Sequence, residues 1–165
     1  MRVLGDYTVY INKASKILAL VPMYLASHRA RQKQGEWYDA AVTMRGVRQL
    51  RDLIGDDSMR RLGREIVPLV SRIESEVLSD LNVDSPEACL QAMPEFYARY
   101  HQGLGGITAR QVGEKKFLIE DDTPYPESLN QGLLEGAVRE FGGLHVNITC
   151  AAAEEGKRRF TVSWS

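Results

Sequence analysis

The chain has 165 residues, enough for one domain that buries a core without disulfides or metal. Its 44% apolar and 26% charged residues are those of an ordinary globular protein, and 21 basic against 22 acidic residues leave a formal net charge of -1. No global field therefore favours nucleic acid or an anionic membrane.

Base is concentrated locally at Arg29, Arg31 and Lys33, at Arg45, Arg48 and Arg51, and at Arg60, Arg61 and Arg64. Glu36, Asp39, Asp52, Asp56 and Asp57 offset about half of it, which reads as a solvated face. Cys89 and Cys150 have no CxxC spacing, so reduced thiols and a cytoplasmic setting are expected. Met1 to Tyr10 holds no apolar run of signal-peptide length. The best apolar stretch, Ile17 to Leu25, is interrupted by Pro22 and is too short to span a bilayer.

The first predicted helix runs from Ser15 to His28, with Ile17, Leu18, Leu20, Val21, Tyr24 and Leu25 on one broad face. Arg29 to Glu36 reads as a loop, or as a frayed helix end stopped at Gly35. Trp37-Tyr38 opens a second helix in which Val47, Leu50 and Ile54 recur at helical spacing. Gly55 ends it, and Asp56, Asp57 and Ser58 supply N-cap chemistry for the next.

That next helix is the longest, with Met59, Leu62, Ile66, Leu69, Ile73, Val77 and Leu81 on one stripe. Pro68 should kink it near Arg64, or divide it into two helices at Val67-Pro68. Ser85-Pro86-Glu87 is a strong helix start, followed by Leu90, Met93, Phe96, Tyr97 and Tyr100 and stopped by Gly103.

From Leu104 onward the period falls to two. Ile107 and Ala109 share a strand face, Phe117 and Ile119 form the face of its partner, and Val112 to Lys115 turns between them, with Gly113 able to take positive φ. Pro126 starts a helix with Leu129, Leu133, Leu134, Ala137 and Phe141 as its core face and Gly142-Gly143 as its stop. Strands Leu144 to Cys150 and Arg159 to Trp164 close the chain. The expected fold is α+β: an N-terminal helical layer on a four-stranded antiparallel sheet of two hairpins joined by a helix.

Three stretches carry a family resemblance. They are Trp37-Tyr38 with Leu62-Gly63-Arg64, Met93-Pro94-Glu95-Phe96-Tyr97-Ala98-Arg99-Tyr100, and Gly132-Leu133-Leu134-Glu135-Gly136-Ala137 followed by Phe160-Thr161-Val162-Ser163-Trp164. With the order of elements, they resemble the ligand-binding fold of haem-nitric-oxide/oxygen sensor (H-NOX) domains, 4-vinyl-reductase domains and the TRAPP small subunits. The nearest likeness is to an uncharacterised, mainly myxobacterial branch. The resemblance covers residues 37–165, leaving 1–36 as a helical N-terminal extension of a single domain.

The resemblance also says what chemistry to look for. Haem-binding members carry Tyr-x-Ser-x-Arg in the strand before the glycine-bearing helix, where this chain has Phe117-Leu118-Ile119-Glu120-Asp121, whose terminal acid would repel a propionate. An axial histidine is needed on an earlier helix. Of His28, His101 and His145, His101 is nearest to a suitable element and reads as a helix-end residue near the last carbonyls. Cys150 has no second thiol near Arg158-Arg159 for the metal site of the reductase branch, and Cys89 matches the acyl-bearing cysteine of the tethering subunits poorly. Both read as core thiols, and neither a cofactor nor a metal is expected.

No nucleophile elbow, Walker loop or His-Glu-x-x-His occurs, so enzyme activity is not expected. The remaining candidates are aromatic: Trp37, Tyr38, Phe96, Tyr97, Tyr100 and Tyr125. Either they cap the core or they line an apolar pocket between helices and sheet, with hydroxyls as its polar anchors. Gly132 and Gly136 read as structural residues that let their helix approach the sheet. The leading expectation is a non-enzymatic regulatory or sensor module holding a small apolar ligand. The alternative is a protein–protein scaffold, with a homodimer formed through the helices; the Met59 to Leu81 stripe suits that dimer or the core.

Overall fold

The computed structural model describes residues 1–17, 35–73 and 75–165. The expected loop at 29–34, the predicted helix beyond Ile17 and His28 lie outside the described residues. In chain order the elements are β1 (Arg2–Leu4), α1 (Gly5–Ile17), β2 (Trp37–Asp39), α2 (Ala40–Ile73), α3 (Ser75–Asp80), α4 (Pro86–Tyr100) and β3 (His101–Gln102). There follow β4 (Ile107–Gly113), β5 (Lys116–Asp121), α5 (Glu127–Glu140), β6 (Asn147–Ala152), a 3-10 turn (Glu154–Gly156) and β7 (Arg158–Ser163).

The C-terminal half follows its period. β4-β5-β7-β6 is an antiparallel sheet of two hairpins with α5 between them in sequence. Phe117, Ile119, Phe160 and Val162 are fully buried on its inner face. Gly113 is not at positive φ: it pairs with Lys116, leaving a two-residue turn, and the irregularity falls between Gln111 and Gly113. The last hairpin begins later than expected, at Asn147, and Leu144 is exposed.

The N-terminal half departs further from expectation. The first helix begins at Gly5, ten residues before Ser15, and buries Tyr7, Tyr10, Ile11 and Ala14 at positions i, i+3, i+4 and i+7. Trp37 and Tyr38 do not open a helix. They form β2, paired with Leu4 and Val3 of β1, whose other edge carries β3. Asp39 then accepts the Ala41 N–H (2.9 Å), in the manner of an N-cap, and α2 starts at Ala40.

Gly55 breaks α2 as expected, with φ 78° and ψ 168°. Pro68 lies inside the helix without dividing it. The stripe is core at Met59, Leu62, Ile66 and Leu69, and it emerges at Ile73, which is exposed. Ser85 caps α4 by accepting the Ala88 N–H (3.2 Å), with Pro86 in the first helical turn. No helix among the described residues is long and apolar enough to cross a membrane.

The glycines of α5 face a different partner from the expected one. A Cβ on Gly132 would strike the carbonyl of Arg60, and one on Gly136 would strike the carbonyl of Arg64, both in α2. Gly63 of α2 reciprocates against the backbone of Leu129 and Leu133. The close approach is therefore helix on helix, and the leucines beside the glycines turn toward the sheet. Pro68 contributes, because it lacks the N–H that would otherwise bond the Arg64 carbonyl at i-4.

A leucine at Gly136 would meet backbone that has no side chain to rotate away. Gly136→Leu should lower stability in a denaturant titration by roughly 1–3 kcal/mol or more. Helix propensity alone would raise it by nearly ~1 kcal/mol. A more stable variant would contradict the crossing.

Candidate functional site

Between α4, α5 and the inner face of the four-stranded sheet lies an apolar cleft of ≈ 20 Å³, room for about one water-sized molecule. Met93, Phe96 and Tyr97 reach it from α4, Asn130, Leu133 and Leu134 from α5, and Ile119 and Phe160 from the sheet. Tyr7 enters from α1, and Tyr125 from the loop ahead of α5. Each faces inward for a local reason: the α4 residues share a helical stripe, and the strand residues alternate with solvent-facing neighbours.

The candidate aromatics divide in two. Phe96, Tyr97 and Tyr125 line the cleft, and Tyr100 packs just behind it, 5.1 Å from Phe96 and 5.9 Å from Tyr10 between ring centroids. Trp37 and Tyr38 do not border it. They lie half-exposed on β2, where the Tyr38 hydroxyl donates to Glu36 (2.8 Å).

One wall is an aromatic hydrogen-bond network around His101. Its Nδ1 lies 2.8 Å from the Tyr97 carbonyl, and its Nε2 lies 2.8 Å from the Tyr125 hydroxyl. A carbonyl only accepts, so Nδ1 carries the proton and Nε2 accepts from Tyr125. The ring stacks on Tyr97 (3.9 Å between centroids, 9° between planes) and meets the edge of Tyr7 at 4.7 Å. Tyr97 in turn donates to the Leu104 carbonyl (2.7 Å). Burial, partly opposed by the bond to Tyr97, pushes the His101 pKa down to about 4, so the ring is neutral at physiological pH. Burial likewise raises the phenols of Tyr7, Tyr97 and Tyr125 above their ordinary value.

The floor holds a buried ion pair. Asp121 lies 2.7 Å from Arg158 Nη2 and accepts from Asn130 Nδ2 (2.7 Å) and the Thr123 N–H (2.8 Å). Arg158 also donates to the carbonyls of Thr123 (2.7 Å) and Tyr125 (2.6 Å), which fixes the loop that presents Tyr125. A buried charge held by such partners is compensated. The sequence reading passed over Arg158 and Asn130 because their partners lie 37 and 9 positions away from Asp121. It passed over Tyr7 because α1 begins before the predicted helix.

The thiols carry no second ligand set. Cys89 is buried in α4, and desolvation followed by Glu140 raises its pKa to about 12. Cys150 is half-buried on β6, raised to about 11 by burial and then by Glu127. Among the described residues no three metal-ligating side chains cluster.

No protein-family model matches the chain, and no curated protein matches it in sequence. Solved structures do match the fold. A Tt H-NOX variant superposes with TM-score 0.73 at 16% identity, covering 98% of this chain and 95% of that one. An oxygen-binding H-NOX domain related to soluble guanylate cyclases, in its oxygen complex, gives 0.69 at 15% identity, covering 97% and 93%. The unliganded Fe(II) H-NOX protein of K. algicida gives 0.70 at 10% identity, covering 98% and 96%. The chain thus has an H-NOX-like α+β fold.

Another neighbour, at 16% identity and TM-score 0.71, concerns haem redox potential and porphyrin distortion, so haem is the group to test here. The described residues do not fit it. Space for about one water cannot take a porphyrin, and both nitrogens of His101 are engaged. Asp121, at the end of β5, is already paired with Arg158.

The network makes stability depend on pH with a definite sign. Because the folded pKa of His101 lies below its unfolded value of 6.5, the stability His101 contributes is complete above pH 6.5. It is lost as pH falls toward about 4, by at most about 3 kcal/mol. Urea midpoints of the parent and His101→Gln should therefore converge as pH falls through this window. Parallel curves would mean that the imidazole is not held neutral.

Proposed function

We propose that the chain is a non-enzymatic sensor or regulatory module of H-NOX-like fold that works without haem. It holds a small apolar molecule in the cleft between α4, α5 and the sheet. The observation that carries this reading is the cleft itself, apolar at Met93, Phe96, Ile119 and Leu133 and bordered by Tyr7, Tyr97 and Tyr125. The neighbours supply the analogy of a ligand sensed inside this architecture, and the packing here adapts it to a much smaller guest. Tyr97, Tyr125 and Phe96 are the ligand-facing residues of the proposal. The residues together form a single domain, with β1 and α1 packed into it.

A ligand that displaces Tyr125 from His101 would disturb the α4 end and the Arg158-bound loop together, which gives occupancy a route to the surface. The alternative is a scaffold, favoured by Val42 and Leu53, which are exposed on the same side of α2. Methyl NMR under xenon pressure separates the two readings. Saturable shifts at Ile119, Leu133 and Leu134, weakened by Leu133→Phe, are expected for the ligand-holding module. No saturable shift at these methyls would leave the scaffold.

A further inference from the structure

The four-stranded sheet ends in β4 on one side and in β6 on the other, and the two edges differ. β4 carries Arg110 and breaks register between Gln111 and Gly113. The Gln111 amide there donates back to the carbonyls of Gly113 (3.1 Å) and Glu114 (3.2 Å). A charge and a bulge are devices that keep a foreign strand from adding to a sheet edge. β6 has neither. Its six residues, Asn147-Ile148-Thr149-Cys150-Ala151-Ala152, include no charge and no proline, and they pair with β7 in unbroken register. Among the described residues no strand lies on the other edge of β6, and Asn147, Thr149, Ala151 and Ala152 are exposed. Strand geometry leaves a row of N–H and C=O groups along such an edge open to a partner.

We propose that β6 is an association edge, on which the β6 of a second copy of this chain adds antiparallel and joins the two sheets into one. This association is independent of what occupies the cleft. The strand is its own match. A two-fold axis perpendicular to the sheet sets each residue opposite one on the same face, so the pairing must be centred on a residue. The two registers of longest overlap are centred on Thr149 and on Cys150. In the first, Thr149 faces Thr149 of the second copy; in the second, it faces Ala151.

Charge favours a copy of the chain over a foreign segment. Because β6 is uncharged throughout, pairing with itself sets no like charges against each other, and the strand has no charge with which to select an acidic or basic peptide. The guarded β4 edge also limits the assembly: each chain offers one open edge, so the association closes at two copies and does not run on into a filament. A pairing of strands six residues long is small among specific interfaces, so the dimer is weak and forms with rising concentration.

Sedimentation velocity of the whole chain over a dilution series should show a monomer–dimer equilibrium with no larger species. Amide hydrogen exchange along β6 should slow as concentration rises, while the amides of β4 stay unchanged. Thr149→Lys and Thr149→Glu, both at an exposed position, should each weaken the dimer roughly tenfold or more, because the new charge lies close to its own copy across the axis. An equimolar mixture of the two variants should restore the dimer, which also shows that both are folded. The association edge is overturned if the chain stays monomeric at every concentration, if the β6 amides do not respond, or if open-ended assemblies form. It is equally overturned if the charged variants dimerise as the parent does, or if mixing them restores nothing.

Discussion

The crossing of α2 and α5 is the contact on which the rest of this fold depends. Three glycines, Gly63, Gly132 and Gly136, bring the two backbones together, and each one's missing Cβ is filled by backbone of the opposite helix. The Arg64 carbonyl that meets Gly136 is the one Pro68 leaves without a helical donor. Glu135, between the two glycines, is buried and takes Arg60 (3.2 Å), Arg64 (3.1 Å) and Arg139 (2.9 Å). A buried carboxylate so close to backbone is tolerable only with such partners, so the ion cluster also fixes the register of the crossing.

What the crossing does for the site is geometric. With its glycine face seated on α2, α5 has Asn130, Leu133 and Leu134 left to turn toward α4 and the sheet, where they border the cleft. Asn130 meets Asp121, Asp121 meets Arg158, and Arg158 holds the loop carrying Tyr125. Tyr125 reaches His101, and His101 is held against the end of α4 by the Tyr97 carbonyl. A shift of α5 along α2 would therefore be felt at every wall of the cleft. The small volume follows from packing: six tyrosine, phenylalanine and histidine rings fill space between the same helices and sheet.

Much of this was legible in the sequence wherever period decides the outcome. The alternation of Phe117 and Ile119, and of Phe160 and Val162, placed both hairpins, and Ser85-Pro86 placed the start of α4. Trp37-Tyr38 was misread because a three-residue strand is too short for a period, and an amphipathic helix follows it immediately. The early start of α1 was missed although Tyr7, Tyr10, Ile11 and Ala14 carry a helical spacing, because the stronger apolar run begins at Ile17. Gly132 and Gly136 announced a close approach but not its partner, since a missing side chain says nothing about what fills its place. Asp121, Arg158 and His101 acquire their roles only from tertiary contacts.

The central claim is that an H-NOX-like fold is closed here by its own side chains, so that the proposed module works without haem. Reconstitution with hemin, followed by absorption spectroscopy and iron analysis of the desalted protein, tests it directly. The account expects no Soret band above that of a non-binding control and iron far below one per chain. A stoichiometric Soret spectrum abolished by His101→Ala would show that the His101–Tyr125 bond opens to admit the group, and would contradict the account.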